Sequence, residues 1–239
     1  MGLASPPEDA LTEAAPTAHL AVDRLSRRYG PRWAVARVSF SLPRGASLLL
    51  LGPNGSGKTT LLRCLATALK PHEGQATLDG LPLWQERHQL RPHIAWLAHS
   101  SRLYADLSAS QNLWAWARMG GLTPDVDALL DRVGLPHTGA KPVAAFSAGM
   151  RRRLALALVL MKRPRLALFD EPFTALDPSG QALLHDVLLE LRACGTTLVI
   201  TSHQPARAAP ACTHALRLVE GRLDWRGTPQ EALRYGAES

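Results

Sequence analysis

From His19 onward, polar and apolar residues alternate, first at Leu20 and Val22 and then at Val38, Phe40 and Leu42. A period of two predicts half-buried strands, so an antiparallel lobe comes first. Three later runs, Ser47 to Leu51, Leu166 to Phe169 and Thr197 to Ile200, are apolar without alternation, each followed by polar or Gly-containing residues. Strands buried on both faces read this way, which predicts a parallel sheet covered by helices. Between the last two runs a helix is signalled by Asp177 as N-cap, Pro178 at the first helical position and Gly195 just past the end. Its apolar positions Leu183, Leu184, Val187, Leu188 and Leu191 recur at helical spacing and face that sheet.

The stretch from about Ser100 to Leu160 has a different period. Helical patterns run over Gln111 to Arg118, Val126 to Val133 and Gly149 to Met161, with no clear strand, and predict a helical subdomain inserted into an α/β core. Trp114 and Trp116 point to different faces of their helix and read as core and interface residues. Near the end, Ala215 to Val219, Glu220-Gly221 and Arg222 to Trp225 read as a hairpin. Residues 1–18, rich in Ala and Pro, predict a disordered leader, and no internal repeat is visible.

Composition narrows the setting. The chain has 239 residues, 46% hydrophobic and 20% charged, which is ordinary globular usage and excludes collagen-like and wholly disordered classes. The three cysteines, Cys64, Cys194 and Cys212, lack metal-like spacing and fit a reducing compartment. Met1 to Thr17 contains neither the basic nor the apolar part of a signal peptide. The longest apolar runs, such as Leu154 to Met161, fall short of the roughly 18 to 20 residues that span a bilayer. The net charge of +7 rises to about +10 once the N-terminal acids Glu8, Asp9 and Glu13 are set aside. Such an excess is compatible with nucleic acid, an anionic membrane surface, phosphate-bearing ligands or a solvated Arg-rich surface.

The residue order then supplies chemistry. Gly52-Pro53-Asn54-Gly55-Ser56-Gly57-Lys58-Thr59 matches G-x-x-x-x-G-K-[ST] between a buried strand and helical Leu61 to Ala68. Its glycines let successive N–H groups point at phosphate oxygens, Lys58 neutralises the β and γ phosphates, and Thr59 holds Mg²⁺. The apolar strand Leu166 to Phe169 ends in Asp170 and Glu171, which places Asp170 at the metal edge of the nucleotide and lets Glu171 polarise a water. His203 follows the third buried strand, so a parallel sheet delivers it to the same crevice, within reach of the γ-phosphate. In Phe146-Ser147-Ala148-Gly149-Met150, followed by Arg151-Arg152-Arg153, Ser147 reads as an N-cap and Gly149 as part of an anion-binding first turn.

With these motifs in order, residues 19–235 resemble the ATP-binding subunit of ABC transporters. The resemblance implies an α/β P-loop NTPase (ABC ATPase) fold with an antiparallel β subdomain and an inserted helical subdomain. It divides the chain into a RecA-like core, 19–99 and 161–235, a helical subdomain, 100–160, and a tail, 236–239. Gly52 to Thr59 is similar to Walker A, Asp170 closes Walker B, and Glu171 falls on the family's catalytic glutamate. Thr174 to Asp177 looks like the D-loop, His203 like the switch histidine, and Tyr29 like the aromatic that stacks on adenine. The implied catalytic residues are Glu171 and His203, and Thr59 and Asp170 are the implied Mg²⁺ ligands. ATP contacts are implied for Tyr29, Gly52, Asn54, Gly55, Ser56, Gly57, Lys58, Thr59, Thr60, Ser147 and Gly149.

The pattern departs from the family at named positions. Ala148 and Met150 differ from the LSGGQ signature, Leu158 stands where an arginine is usual, and His99 or Ser100 replaces the Q-loop glutamine. One P-loop and one signature per chain imply a second ATP-binding subunit, most simply in a homodimer. The family resemblance also implies separate transmembrane permease subunits, engaged by a coupling helix in the cleft beside the helical subdomain at the cytoplasmic face of the membrane. A single cassette without a long coiled-coil insertion implies no nucleic acid partner. Trp96 to His99, Phe146 to Gly149, Asp170 to Asp177 and Thr201 to Pro205 together resemble the heme-exporter ATPase of cytochrome c maturation. Multidrug, lipid and polysaccharide export ATPases are the alternatives, and a non-transport ABC ATPase acting on nucleic acid or ribosomes is the rival outside transport.

Overall fold

Two kinds of strand, distinguished by burial, build two sheets in a computed structural model that describes residues 18–98, 103–136 and 138–235. The expected leader (but for Ala18), the tail 236–239 and the Q-loop position at His99 or Ser100 lie outside the described residues. The first sheet is antiparallel, in the order β2-β1-β4-β5, from β1 (Leu20–Tyr29), β2 (Arg32–Leu42), β4 (Glu73–Leu78) and β5 (Leu81–Pro82). β1 and β2 turn back at Gly30-Pro31 with Tyr29 opposite Arg32 and Leu20 opposite Leu42. Leu20, Val22, Val38, Phe40 and Leu42 are all buried, as the alternation predicts. Arg24 (φ 45°) accompanies a register shift between Val22 and Leu25, which turns Leu25 inward out of step with the period of two. β4 and β5 escape the sequence reading because Glu73, Gly74 and Gln75 are polar or small, with only Ala76 and Leu78 buried.

The second sheet runs β10-β9-β3-β8-β7-β6. Its parallel strands are β3 (Ser47–Leu51), β6 (Ile94–Leu97), β7 (Leu166–Asp170), β8 (Thr197–Thr201) and β9 (His214–Val219), and β10 (Arg222–Gly227) closes one edge antiparallel to β9. The unbroken apolar runs are explained by burial on both faces. Leu48, Leu50, Leu166, Leu168 and Val199 join one core with the antiparallel sheet and α1 (Lys58–Leu65). Leu49, Ala167, Phe169, Leu198 and Ile200 join another, beneath the helices. Each fully buried leucine contributes about 1.5–3 kcal/mol of transfer free energy.

That second layer comprises α3 (Ala109–Gly120), α4 (Val126–Arg132), α5 (Ala148–Lys162) and α6 (Pro178–Ala193). Short helices α2 (Arg87–Leu90), α7 (Pro205–Ala208) and α8 (Pro229–Tyr235) complete the described set. In α6, Asp177 caps the amide of Gly180, Pro178 opens the helix, and Leu184, Val187, Leu188 and Leu191 are buried. In α3, a capping box between Ser108 and Gln111 fixes the start, and Gly121 (φ 64°) stops it. Between residues 103 and 160, no strand forms among the described residues apart from an isolated bridge, Ser108 to Pro142. Trp114, 49% exposed, and half-buried Trp116 correct the core expectation, since neither side chain enters the core.

Candidate functional site

A parallel sheet gathers its loops at the carboxyl ends of its strands, and here β3, β8 and β7 lie side by side. Between β3 and α1 the chain makes the turn Gly52 to Gly57, where two glycines are compelled by both conformation and space. A Cβ on Gly57 (φ 104°) would lie 2.1 Å from Ala34 O, and one on Gly52 (φ 139°) 2.2 Å from Leu218 O. Gly55 (φ 78°) has open space around it and is exposed at the loop tip with Asn54. Ser56 is buried, and its carbonyl accepts the Gly221 amide at 3.0 Å, while Gly221 O accepts the Ala36 amide at 2.7 Å. The loop is thus braced by β2 on one side and the β9–β10 turn on the other.

The α1 N-terminus has no side-chain cap and no acidic residue in its first turn, so its amide donors and dipole are available to an anion. Lys58, 7% exposed, donates from Nζ to Gly52 O at 2.6 Å and Pro53 O at 3.0 Å. Burial pulls its pKa below the usual lysine range, with Glu171 and Asp170 acting in the opposite direction. Thr60 is half-buried on the same turn. Tyr29, 47% exposed at the β1–β2 hairpin end, carries the Arg27 guanidinium 5.6 Å from its ring centroid. Its strand partner β2 supplies the Ala34 carbonyl against which Gly57 packs.

A continuous chain of hydrogen bonds runs from α1 across the ends of β7 and β8. Thr59 Oγ1 lies 3.0 and 3.3 Å from the two carboxylate oxygens of buried Asp170. Thr201 Oγ1, at the end of β8, donates to Asp170 Oδ1 at 2.9 Å and accepts the Glu171 amide at 3.0 Å. Glu171 Oε2 accepts the His203 amide at 3.0 Å, while Oε1 is buried without a hydrogen bond and lies 3.4 Å from His203 Nε2. Glu171 adopts φ 51°, an unfavourable conformation for a residue with a Cβ. Thr59 and Asp170 together present hard oxygen donors. No group of three or more His, Cys, Asp or Glu forms a metal cage among the described residues. Two protein oxygens fit Mg²⁺, which keeps most of its octahedron for water and phosphate.

Ser147 and Gly149 stand elsewhere, on the first turn of α5. Ser147 Oγ accepts the Met150 amide at 3.1 Å, the expected N-cap, and its side chain is exposed. No hydrogen bond among the described residues joins either residue to the chain from Lys58 to His203. Instead, a Cβ on Gly149 would sit 3.4 Å from Ala175 O, in the loop before α6. The three arginines that follow are spent internally. Arg151 donates to Phe146 O, Arg153 to Asp177 Oδ1 and Ser179 Oγ, and Arg152 to the carbonyls of Ala98, Asp170, Glu171 and Pro172. Asp177 is held well below the usual carboxylate range by hydrogen bonds from Ser179, Arg153 and the Gly180 amide. Burial draws the Arg152 guanidinium downward against the opposing pull of Asp170 and Glu171.

A groove of about 620 Å³ lies beside α5 and the β6 edge, lined by Trp96, Trp116, Met119 and Leu158 with His88 and Arg91 at its border. Leu158 gives this wall apolar surface. Sequence reasoning missed Thr201 and Arg152. Thr201 could have been found as the last residue of a buried strand, two before His203. Arg152 was hidden because a run of three arginines reads as a solvated patch.

A family profile described as "ABC transporter" matches residues 35–174. Daunorubicin resistance ATP-binding protein DrrA3 of Streptomyces coeruleorubidus is 36% identical over 217 residues, covering 89% of this chain and 69% of the relative. Nod factor export ATP-binding protein I of Ralstonia nicotianae is 35% identical, covering 90% and 69%. Cytochrome c biogenesis ATP-binding export protein CcmA of Nitrosococcus oceani is 37% identical over 213 residues, covering 89% and 98%. Among solved structures, an ATP-binding subunit of an ABC transporter superposes with TM-score 0.82 at 27% identity, covering 91% and 93%. The cbiO1 protein of Clostridium perfringens, part of the ABC transporter complex cbiONQ, gives 0.78 at 27% identity, covering 92% of each chain.

Proposed function

The chain belongs to the ABC transporter family as an ATP-binding subunit, and from that premise we propose that it works in a pair to drive a heme-exporting permease of cytochrome c biogenesis. Binding ATP and hydrolysing it to power transport is the activity of the family. The observation that carries the assignment of residues is the hydrogen-bond chain Thr59, Asp170, Thr201, Glu171, His203.

The backbone donors of Gly52 to Thr60 and the Lys58 ammonium hold the phosphates, and the exposed face of Tyr29 takes the adenine. Thr59 and Asp170 hold Mg²⁺, which when bound neutralises phosphate charge. Glu171 Oε1, buried and accepting no hydrogen bond, is the acceptor for a proton from water. His203 fixes the other carboxylate oxygen through its amide and presents its half-exposed ring beside Glu171. Ser147 and Gly149 serve the nucleotide held by a second copy, in keeping with the exposure of Ser147 and the absence of a hydrogen bond from either residue to Lys58 or Asp170 among the described residues.

No helix among the described residues is long and apolar enough to cross a membrane. The groove at Trp96, Trp116 and Leu158 is the proposed seat of a cytoplasmic helix of the permease, which places the subunit peripherally on the membrane. Support for heme export comes from the match across 98% of CcmA together with the sequences Phe146 to Gly149 and Thr201 to Pro205. The similarity to DrrA3 favours a second reading, drug export.

The test is to isolate the Glu171→Gln form, with ATP, from gently solubilised native membranes and identify what accompanies it. A polytopic partner that binds heme supports the proposal. A drug-exporting permease replaces its substrate, and ribosomal protein or nucleic acid without a membrane protein overturns it.

A further inference from the structure

Arg152 spends its guanidinium on main-chain oxygens of two strand ends. Nη1 donates to Ala98 O beyond β6 at 2.9 Å, Nε to Pro172 O at 3.2 Å, and Nη2 to Asp170 O at 3.0 Å and to Glu171 O. None of these four acceptors is a carboxylate. A planar fork of five donors suits this task, because it fixes several carbonyls in one geometry where a point charge cannot.

The residue most constrained by the fork is Glu171. Its left-handed backbone persists because four groups hold it: Thr201 Oγ1 on its amide, Arg152 and the Thr174 amide on its carbonyl, and the His203 amide on its carboxylate. Thr201 and His203 come from β8 and the turn after it, in the same rigid sheet as Asp170. Arg152 alone comes from α5, whose first turn carries Ser147 and Gly149. A shift of α5 therefore acts directly on the Glu171 peptide. The phosphate loop is held independently, since Lys58 and the side-chain bonds of Asp170 to Thr59 and Thr201 do not involve Arg152.

We infer that Arg152 is a positioning residue for hydrolysis: it holds the Glu171 peptide in the conformation that aims the carboxylate, and it ties that aim to the position of the signature turn. The inference rests on the proposed role of Glu171 as proton acceptor. Arg152 bonds no side chain of the residues assigned to ATP or Mg²⁺ and meets Asp170 only at its main-chain carbonyl, so its loss lowers turnover and leaves nucleotide affinity in place. A residue that merely staples α5 to the sheet would change stability, affinity and turnover together.

The experiment measures steady-state ATP hydrolysis, ATP affinity and thermal stability of the full chain as Arg152→Gln, Arg152→Lys, Glu171→Gln and the double variant Arg152→Gln/Glu171→Gln. Expected for Arg152→Gln is a kcat lower by about 10- to 100-fold. KM and ATP affinity should stay within about twofold, Arg152→Lys should recover part of the loss, and the double variant should be no slower than Glu171→Gln alone. A kcat at the parental value, a proportional loss of ATP affinity, or a multiplicative further drop in the double variant overturns the inference. Should Arg152→Gln fail to fold, Arg152→Lys decides by the same criteria. If Glu171→Gln itself turns over like the parent, the proton-acceptor assignment falls and this inference falls with it. An inactive Glu171→Gln beside a fully active Arg152→Gln removes this inference alone.

Discussion

The carboxyl edge of the parallel sheet and the N-terminus of α5 are both given to the nucleotide in the proposed function, yet they are finished to different degrees. At the sheet edge, side chains from α1, β7 and β8 close on one another, and Asp170 is met by both Thr59 and Thr201. At the helix start, Ser147 is exposed and Gly149 half-buried, while Arg151 and Arg152 behind them bond main-chain carbonyls and Arg153 bonds the side chains of Asp177 and Ser179. The first region is organised to hold a ligand by itself, and the second is organised to be held in place while presenting its tip. That division suits the proposed function, in which a pair of chains brings the two regions together.

The largest expected effect falls on the sheet edge. Lys58→Ala removes two charge-assisted hydrogen bonds from the loop and the charge facing the phosphates. ATP affinity should drop on the order of 100- to 1,000-fold, read by equilibrium binding to the isolated chain. Retained affinity would mean that the edge is not the nucleotide cradle. Next comes Gly149→Asp, which sets a negative charge on the outward tip beside Ala175 O. Binding to the single chain should be unchanged while hydrolysis falls by about 100-fold, because the variant repels phosphate across the pair. Equal losses in both measurements would erase the distinction between the two regions.

The smallest effect concerns the acid limit of stability. Asp177 has its pKa depressed in the folded state, so the stability it adds is present above the unfolded value of about 3.9 and is lost as pH falls through the lower folded value. Asp177→Asn should flatten the pH dependence of Tm below about pH 4 and leave ATP affinity at neutral pH unaltered. An unchanged acid limb would show that the bonds from Arg153 and Ser179 do not anchor the loop behind the signature turn.

How much of this was legible beforehand follows the same division. The buried strands, the phosphate loop and the capped helices could be read from sequence because each is set by local pattern: apolar runs, glycines that allow no side chain, Asp177 before Pro178. β4 was not legible, since its polar residues acquire strand geometry only by pairing with β1, and neither was the two-residue β5, which exists only as a partner of β4. The bulge at Arg24 was equally hidden, because the alternation before and after it gives no sign of a change in step. Arg152 acts through partners roughly 20 to 50 residues away, and no period or spacing in one sequence encodes such contacts; Thr201 shows only its place at a strand end, not its bonds to Asp170 and Glu171.

The brace on the phosphate loop has a further consequence in time. Gly52 is shaped by Leu218 O, Ser56 O is tied to the Gly221 amide, and β3 itself lies between β8 and β9. During synthesis, the glycine-rich turn therefore leaves the ribosome long before the strands that set its shape. Contacts of such long sequence separation are slow to form. The loop should acquire nucleotide affinity as one of the last events of folding, so a nascent chain halted before residue 214 should be unable to retain ATP.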